Sequence, residues 1–335
     1  MINILQMEKV TVIIPCRNEE KYIGKCLDSI LQQDYPIENI DVFIVDGKST
    51  DRTKDIVKEY CTKEKNIHIL DNPEKTAPFA MNIGIENSKG DIIIRMDAHA
   101  WYSPKYVSSL VHYLNSTNAD NIGCVWVTDV LNKTPKTLSI KEVLASPFGV
   151  GNSSFRTGTD KIMEADTVPF GCYRREIFEK AGYYNTKLTR NQDIELNKRI
   201  KANGGKIYLI PDALCTYYAR ETFGAIAQNN YRNGLWNILT VKITKNFSSL
   251  SLRHFIPLIF LLSLILPSVF AALWWPLCLI SALSLTCYLL ALCIISLKLA
   301  ITKKLNFFYL CWTFIVLHFS YATGSLVGIF KHVKK

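Results

Sequence analysis

Between Lys9 and Met96, short apolar runs alternate with segments whose apolar residues recur at helical spacing. Lys9–Pro15, Ile40–Val45, Asn66–Leu70 and Asp91–Met96 read as strands. Between them, one helix carries Ile23, Leu27, Ile30 and Leu31, a second carries Ile56 and Val57, and a third covers Ala77–Glu86. This alternation implies parallel βαβ units, and hence an α/β chain with a doubly wound, mostly parallel sheet. Asn18 is the expected N-cap of the first helix, with Glu19 and Glu20 in its first turn, and Ser49 or Thr50 the expected cap of the second. After Asp97 the regularity weakens. Pro104–Leu114, Glu176–Ala181 and Asp193–Ala202 read as helices, and Cys124–Val130 and Lys206–Ile210 as strands. Lys136–Asp166, punctuated by Gly149, Gly151 and Gly158, reads as a loop over a site.

Composition divides the chain. Up to about Arg220, charged, polar and apolar segments mix as in a soluble domain; from Phe255 onward charges are few. The expected organisation is a catalytic domain over 1–220, an amphipathic interfacial segment over 221–254 and a membrane domain over 255–330. Phe255–Trp275 and Leu277–Leu297 are each long enough to cross a bilayer. Phe307–Phe330 is a third candidate, weakened by His318, Ser320, Thr323, Gly324 and Ser325. Two crossings place Lys242, Lys245, Arg253, Lys303 and Lys304 on the cytoplasmic side; a third would carry Lys331, Lys334 and Lys335 outside, a conflict that a re-entrant or tilted third segment removes. The ten cysteines contain no Cys-x-x-Cys pair, which argues against a zinc site and a disulfide framework. Met1–Val10 lacks the apolar core of a signal peptide. The net charge of +10 fits a chain beside anionic lipid, and no basic-aromatic nucleic-acid motif stands out.

Asp97-Ala98-His99 places a carboxylate and an imidazole where the fourth strand ends. Ligands of open α/β sheets bind beyond the carboxyl ends of the strands. An Asp-x-His pair there can hold a divalent cation that holds a diphosphate; a turn Asp beside a surface His is the ordinary alternative. Asp46 ends the second strand, and Arg17, Asn18 and Glu19 follow the first at the same edge. Neither Gly-x-Gly-x-x-Gly nor a Walker A sequence occurs, which discounts a dehydrogenase or a P-loop nucleotidase. Asp193 and Glu195 stand two apart at a helix start, so only one of them faces a site. An ionised Asp there can take the proton of an attacking hydroxyl. Arg174, Arg175, Arg220 and Arg232 are candidate diphosphate or acceptor contacts, with surface solvation as the alternative. Trp101 and Tyr102 either stack on a sugar or pack.

Several of these segments resemble the family 2 (GT-A) glycosyltransferases. Val10–Glu20 resembles the family's opening strand and turn, and Ile44–Thr53 its second motif. Asp97-Ala98-His99 occupies its Asp-x-Asp position, and Arg190-Asn191-Gln192-Asp193 resembles its Glu-Asp base motif with Gln in place of Glu. Gln228–Trp236 loosely resembles the Gln-x-x-Arg-Trp motif of processive members. Asp166–Gly171 and Tyr173–Glu176, with the Asp-Ala-His triplet and the apolar tail, look like the succinoglycan-type exopolysaccharide glucosyltransferases. The resemblance implies a GT-A nucleotide-diphospho-sugar transferase fold followed by transmembrane helices. It implies that Pro15, Arg17, Glu19, Asp46 and Asp97 surround the nucleotide-sugar, and that Asp97 and His99 bind Mn²⁺ or Mg²⁺. The imidazole either tilts that site toward Mn²⁺ or leaves Asp97 as the sole contact. It implies Asp193 as the base of an inverting transfer from a nucleotide-diphospho-sugar, a UDP-sugar first, to a polyprenyl-diphosphate-linked saccharide at the inner membrane, catalytic domain in the cytoplasm. The alternatives are transfer to polyprenyl phosphate and a non-catalytic membrane-anchored sugar-nucleotide-binding scaffold.

Overall fold

The computed structural model describes residues 7–151 and 153–332. The four expected strands form within a residue or two of their sequence bounds: β1 (Val10–Cys16), β2 (Ile40–Asp46), β3 (Ile67–Asp71) and β4 (Ile92–Arg95). They lie in the order β3-β2-β1-β4 and all pair in parallel. Between them run α1 (Ile23–Leu31), α2 (Thr53–Lys63) and α3 (Ala77–Asn87). Alternation along β1 sends Val10, Val12 and Ile14 to one face, where they join Ile23, Leu27 and Ile30 of α1 in the core. Ile13 points the other way and meets α3 at Gly84, where a Cβ would come within 2.6 Å of Cγ2 of Ile13. Helices therefore cover both faces, and each buried Leu or Ile contributes about 1.5–3 kcal/mol.

Beyond β4 the sheet changes character, so it is mixed rather than mostly parallel. After β5 (Ala100–Tyr102) and α4 (Tyr106–Ser116) comes β6 (Asn121–Asp129). β7 (Met163–Glu164) is two residues long, and β8 (Cys172–Arg174) runs antiparallel to both β4 and β6. β9 (Ile207–Tyr218) pairs antiparallel with β5 and β7. β5 and β8 have three residues each, too few for a period to show, and β9 extends eight residues past the expected Ile210. The segment expected to be a loop holds α5 (Pro135–Ala145), α6 (Pro147–Val150) and α7 (Ser154–Thr157). Thr134 caps α5 by accepting from the Thr137 N–H in a capping box, with Pro135 at N1. α8 (Ile177–Ala181) and α9 (Gln192–Ala202) complete this part.

The chain forms two compact units. The first comprises Met1–Val127 and Gly158–Tyr217; the second comprises Thr128–Thr157 and Tyr218–Lys335. In the second lie α10 (Phe223–Thr244), α11 (Ile256–Phe270), α12 (Leu277–Lys303) and α13 (Phe307–Phe330). Its core joins Val130, Ile140 and Val143 to Ile226, Leu292, Leu310, Phe314 and Leu317. Leu252–Phe270, Leu277–Lys303 and Phe307–Phe330 are long and apolar enough to cross a membrane.

Candidate active site

In the first unit, Cys16 stands beside Asp46 in the β1–β2 register, and the Met96 N–H beyond β4 bonds to the Ile13 carbonyl at 3.0 Å. The loops after β1 and β2 are locked together. Asn18, left-handed at φ 57°, donates its N–H to Ser49 Oγ at 2.9 Å, and its Oδ1 accepts the Thr50 N–H at 2.8 Å. The Glu19 N–H donates to Thr53 Oγ1 at 2.7 Å, and Glu20 Oε2 accepts the Arg52 N–H at 3.1 Å. Asn18, Ser49 and Thr50 thus tie loop to loop. The helices begin later, at Ile23 and Thr53, without side-chain caps at Tyr22 and Arg52. Asp46 is fully buried; its carboxylate accepts the Ser49 N–H at 3.0 Å and lies 3.5 Å from Lys54 Nζ. Its position makes it the organiser of this edge. Pro15 is half-buried opposite Val45, and Arg17 is exposed over Gly47.

The turn after β4 is pinned from beneath. Fully buried Tyr102 accepts the Asp97 N–H at 2.6 Å, and its hydroxyl lies 3.2 Å from the Asp97 carbonyl. Tyr102 therefore packs rather than offering a sugar platform, whereas Trp101 is exposed. Arg95 contacts Asp97 Oδ1 twice, from Nε at 3.1 Å and Nη2 at 3.0 Å. The Arg95 guanidinium is buried, and its Nη1 has no hydrogen-bond partner. Burial alone would lower its pKa, but the charges of Asp97 and then Asp193 outweigh burial and raise it. Arg95 therefore links the end of β4 electrostatically to the start of α9. There, Asn191 is left-handed at φ 61°, and Asp193 Oδ1 accepts the Ile194 N–H at 2.9 Å. Glu195 is committed elsewhere, to Arg199 Nε at 2.7 Å, so Asp193 is the carboxylate of this turn that acts on Arg95. Gln192, in the position of the expected base motif's acid, is buried with Oε1 unpartnered.

His99 Nδ1 lies 3.3 Å from Glu19 Oε1, and its ring meets Tyr217 edge-on at 5.7 Å. Tyr217 stacks on Trp126 at 4.8 Å, and Trp126 abuts Phe170 at 4.9 Å. The thiols below record how the acids converge. Burial pushes Cys16 up first, then Glu19 and Asp46; burial pushes Cys26 up first, then Asp97 and Glu19. Glu19, Asp46 and Asp97 therefore share one edge, and neither thiol ionises to act as a nucleophile.

Among the described residues no cluster of three or more His, Cys, Asp or Glu closes around a cation. The donor set nevertheless fits a cation that shares a substrate diphosphate, because such an ion takes only one or two protein carboxylates. Both Arg95 nitrogens contact Asp97 Oδ1, which leaves Oδ2 for a cation.

Two further arginines of the first unit lie away from this edge. Arg174 pairs in register with Ile92, at the opposite end of β4 from Asp97, and bonds to Asn115 at 2.6 Å and Glu8 at 3.4 Å. Arg175 follows it and bonds to Gly90 O, Ile85 O and Ser88 Oγ at 2.6–3.1 Å. The antiparallel register of β8 reverses the chain and so sets these two candidate diphosphate or acceptor contacts at the end of β4 away from Asp97. Arg220 and Arg232 are exposed in the second unit. Sequence reasoning missed Arg95, whose signal was a single charge closing a run of isoleucines.

Residues 11–182 match the family described as Glycosyl transferase family 2. The dolichyl N-acetyl-alpha-D-glucosaminyl phosphate 3-beta-D-2,3-diacetamido-2,3-dideoxy-beta-D-glucuronosyltransferase of Methanococcus voltae is 32% identical over 248 residues, 70% of this chain and 77% of that protein. The succinoglycan biosynthesis protein ExoA of Rhizobium meliloti is 29% identical over 211 residues, 62% and 63% of the two chains. In fold, the chain resembles the mannosyltransferase PcManGT from Pyrobaculum calidifontis, solved with GDP-Man and Mn²⁺. The TM-score is 0.59 at 20% identity, covering 96% of this chain and 88% of that one. With its acids gathered at the carboxyl edge of a GT-A sheet and this similarity over most of its length, the chain belongs to glycosyl transferase family 2 and is a glycosyltransferase.

Proposed function

We propose that this protein is a membrane-bound inverting glycosyltransferase. It moves a sugar from a nucleotide-diphospho-sugar to a lipid-linked saccharide in exopolysaccharide or cell-surface glycan synthesis. The observation that carries the reading is Arg95, buried at the end of β4, bonded to Asp97 through two nitrogens and within the electrostatic reach of Asp193. The Methanococcus voltae and Rhizobium meliloti relatives, by name a dolichyl-linked sugar transferase and a succinoglycan biosynthesis protein, support the acceptor class. Three long apolar helices support residence in a membrane, which we assign as the inner membrane with the catalytic unit in the cytoplasm.

In this mechanism the locked loops carrying Pro15, Arg17, Glu19 and Asp46 hold the nucleotide. Asp97, with His99 beside it, holds Mn²⁺ or Mg²⁺, which supplies neutralisation of the diphosphate's charge when bound. Asp193 accepts the proton of the acceptor hydroxyl, and the freed oxygen attacks the anomeric carbon opposite the leaving nucleoside diphosphate, so configuration inverts. Proton acceptance of this kind contributes about 10²–10⁴-fold. Arg95 holds the Asp97 carboxylate in place through Nε and Nη2. Exposed Arg220 and Arg232 are assigned to the acceptor's phosphates.

The test is transfer of label from a panel of UDP- and GDP-sugars to extractable lipid, using membranes that contain the protein. Label that enters lipid with Mn²⁺, disappears with EDTA, and falls at least about 10²-fold in Asp97→Ala and Asp193→Asn is the expected result. Undiminished label in Asp193→Asn removes the base assignment. Donor binding without transfer from any donor overturns the enzymatic reading in favour of the scaffold.

A further inference from the structure

The three long apolar helices are not equivalent. On α11 and α12 more than half of the large apolar residues are exposed, including Leu266, Val269, Leu279, Leu283, Leu290 and Ile294, whereas Leu258, Leu261 and Leu292 are buried. No charged residue occurs between Arg253 and Lys298. The two helices pair antiparallel, Ser263 with Ser284 at 2.6 Å and Ser268 with Ser281 at 2.9 Å. Their connection, Ala271–Pro276, carries exposed Leu273, Trp274 and Trp275 and no charge. This is a hairpin made for hydrocarbon, with its tryptophans at the tip.

α13 is built differently. Leu310, Phe314 and Leu317 are buried against Ile140 and Val143 of α5, and His318 Nε2 lies 2.8 Å from the Phe148 carbonyl of α6. α10 runs parallel to it from end to end. Phe223 meets Tyr309 at 6.3 Å near the two N-termini. At mid-length Gly234 and Gly324 allow contact with the backbones of Tyr321 and Tyr231. At the C-terminal ends Lys242 Nζ bonds to the Ile329 carbonyl at 2.6 Å and the Lys331 carbonyl at 3.1 Å. Yet α10 exposes Gln228, Arg232 and Lys242, and α5 carries Lys136 and a Lys141–Asp129 ion pair. A bilayer-crossing α13 would drag these polar partners through hydrocarbon, where a charge is costly and open polar backbone is excluded. The opposite face of α13 is uncharged: Phe308, Trp312, Val327 and Phe330 are exposed toward its ends, and at mid-length Phe319 packs on Phe260 of α11 and Tyr288 of α12.

We infer that α13 does not cross the bilayer. It lies at the lipid–water interface as the core of a platform completed by α5, α6 and α10. The Phe308–Phe330 stripe rests on lipid, and the α11–α12 hairpin is the sole inserted element among the described residues. Residues before Thr222 and beyond Phe330 then share one side of the membrane, which keeps Lys331 with the other basic clusters. The inference rests on the membrane reading proposed above.

The experiment uses the full chain with one epitope before Met1 and another after Lys335, and protease applied to inverted vesicles and to spheroplasts. Both epitopes are expected to be cleaved in inverted vesicles and protected in spheroplasts. An epitope after Lys335 that is cleaved only in spheroplasts, while the first is cleaved only in inverted vesicles, overturns the inference and leaves the membrane reading intact. A chain that washes off membranes in carbonate overturns the membrane reading itself. Depth is read with Val327→Lys and Leu283→Lys. The lysine on the stripe reaches headgroups and leaves the integrated yield within about 2-fold, whereas the lysine at mid-hairpin lowers it at least about 5-fold. Equal loss in both places the stripe in hydrocarbon and overturns the interfacial position.

Discussion

The two ends of β4 use the same residue types for different ends. At the carboxyl end, buried Arg95 faces Asp97 and Asp193 and keeps one nitrogen without a partner. At the amino end, Arg175 spends its guanidinium on the carbonyls of Gly90 and Ile85 and the hydroxyl of Ser88. Their titration follows suit: burial lowers Arg175, and its distant acids do not reverse it, whereas the carboxylates around Arg95 do. An arginine saturated by main-chain carbonyls is a brace. An arginine bonded to one carboxylate and in the field of a second, with an unmet donor in a site of low dielectric, arranges charge for chemistry. Arginine content therefore says little about where a diphosphate binds; the acceptors around each guanidinium say more.

The largest effect expected of this comparison is at Arg95. Arg95→Met leaves Asp97 and Asp193 without their shared cation, and loss of one partner of a buried pair costs about 3–5 kcal/mol. Transfer should fall to background, with a lowered Tm. Arg95→Lys restores the charge as a single point without the fork that spans Nε and Nη2. Tm should recover in large part while kcat stays depressed at unchanged donor KM. Recovery of both in Arg95→Lys would make the residue a mere counter-charge and erase the contrast between the two ends.

Arg175→Ala comes next. Its three acceptors include the Ile85 carbonyl in the last turns of α3 and the Gly90 carbonyl in the α3–β4 connection, so deletion should destabilise by about 1–3 kcal/mol. kcat per folded molecule should be unchanged, as measured by activity normalised to the folded fraction. A loss of kcat without a change in Tm would return Arg175 to the substrate.

How far the sequence disclosed this difference depended on period and length. β1 to β4 were legible because apolar runs flanked by helices of clear periodicity leave one topology. Asp97 and Asp46 were legible because topology puts the ends of parallel strands together. The location of the arginine pair was not legible because β8 offers three residues, Cys172–Arg174, in which no period can be seen, and its antiparallel register alone decides which end Arg174 reaches. Asn18 and Ser49 carry capping chemistry, but they bond to each other's loops across about thirty residues, a choice that only the closed sheet makes available. The segment 136–166 hid α5 because its burial is against α13, far along the chain, and not within its own neighbourhood.

The smallest effect is expected at Arg174, and it is the sharpest control. Arg174 is half-exposed, its Glu8 contact is long at 3.4 Å, and its one short bond goes to Asn115. Pairs of this kind contribute about 0.2–1 kcal/mol. Arg174→Ala should therefore leave donor KM, kcat and metal dependence unchanged and move Tm by at most a few degrees. The reading of this arginine as a diphosphate or acceptor contact predicts otherwise, since a charged contact to phosphate is worth far more than a surface pair. A rise in donor or acceptor KM in Arg174→Ala, with Tm unmoved, would therefore mean that substrate reaches the amino end of β4. The distinction between a bracing end and a working end would then fail at the residue least able to confuse stability with binding.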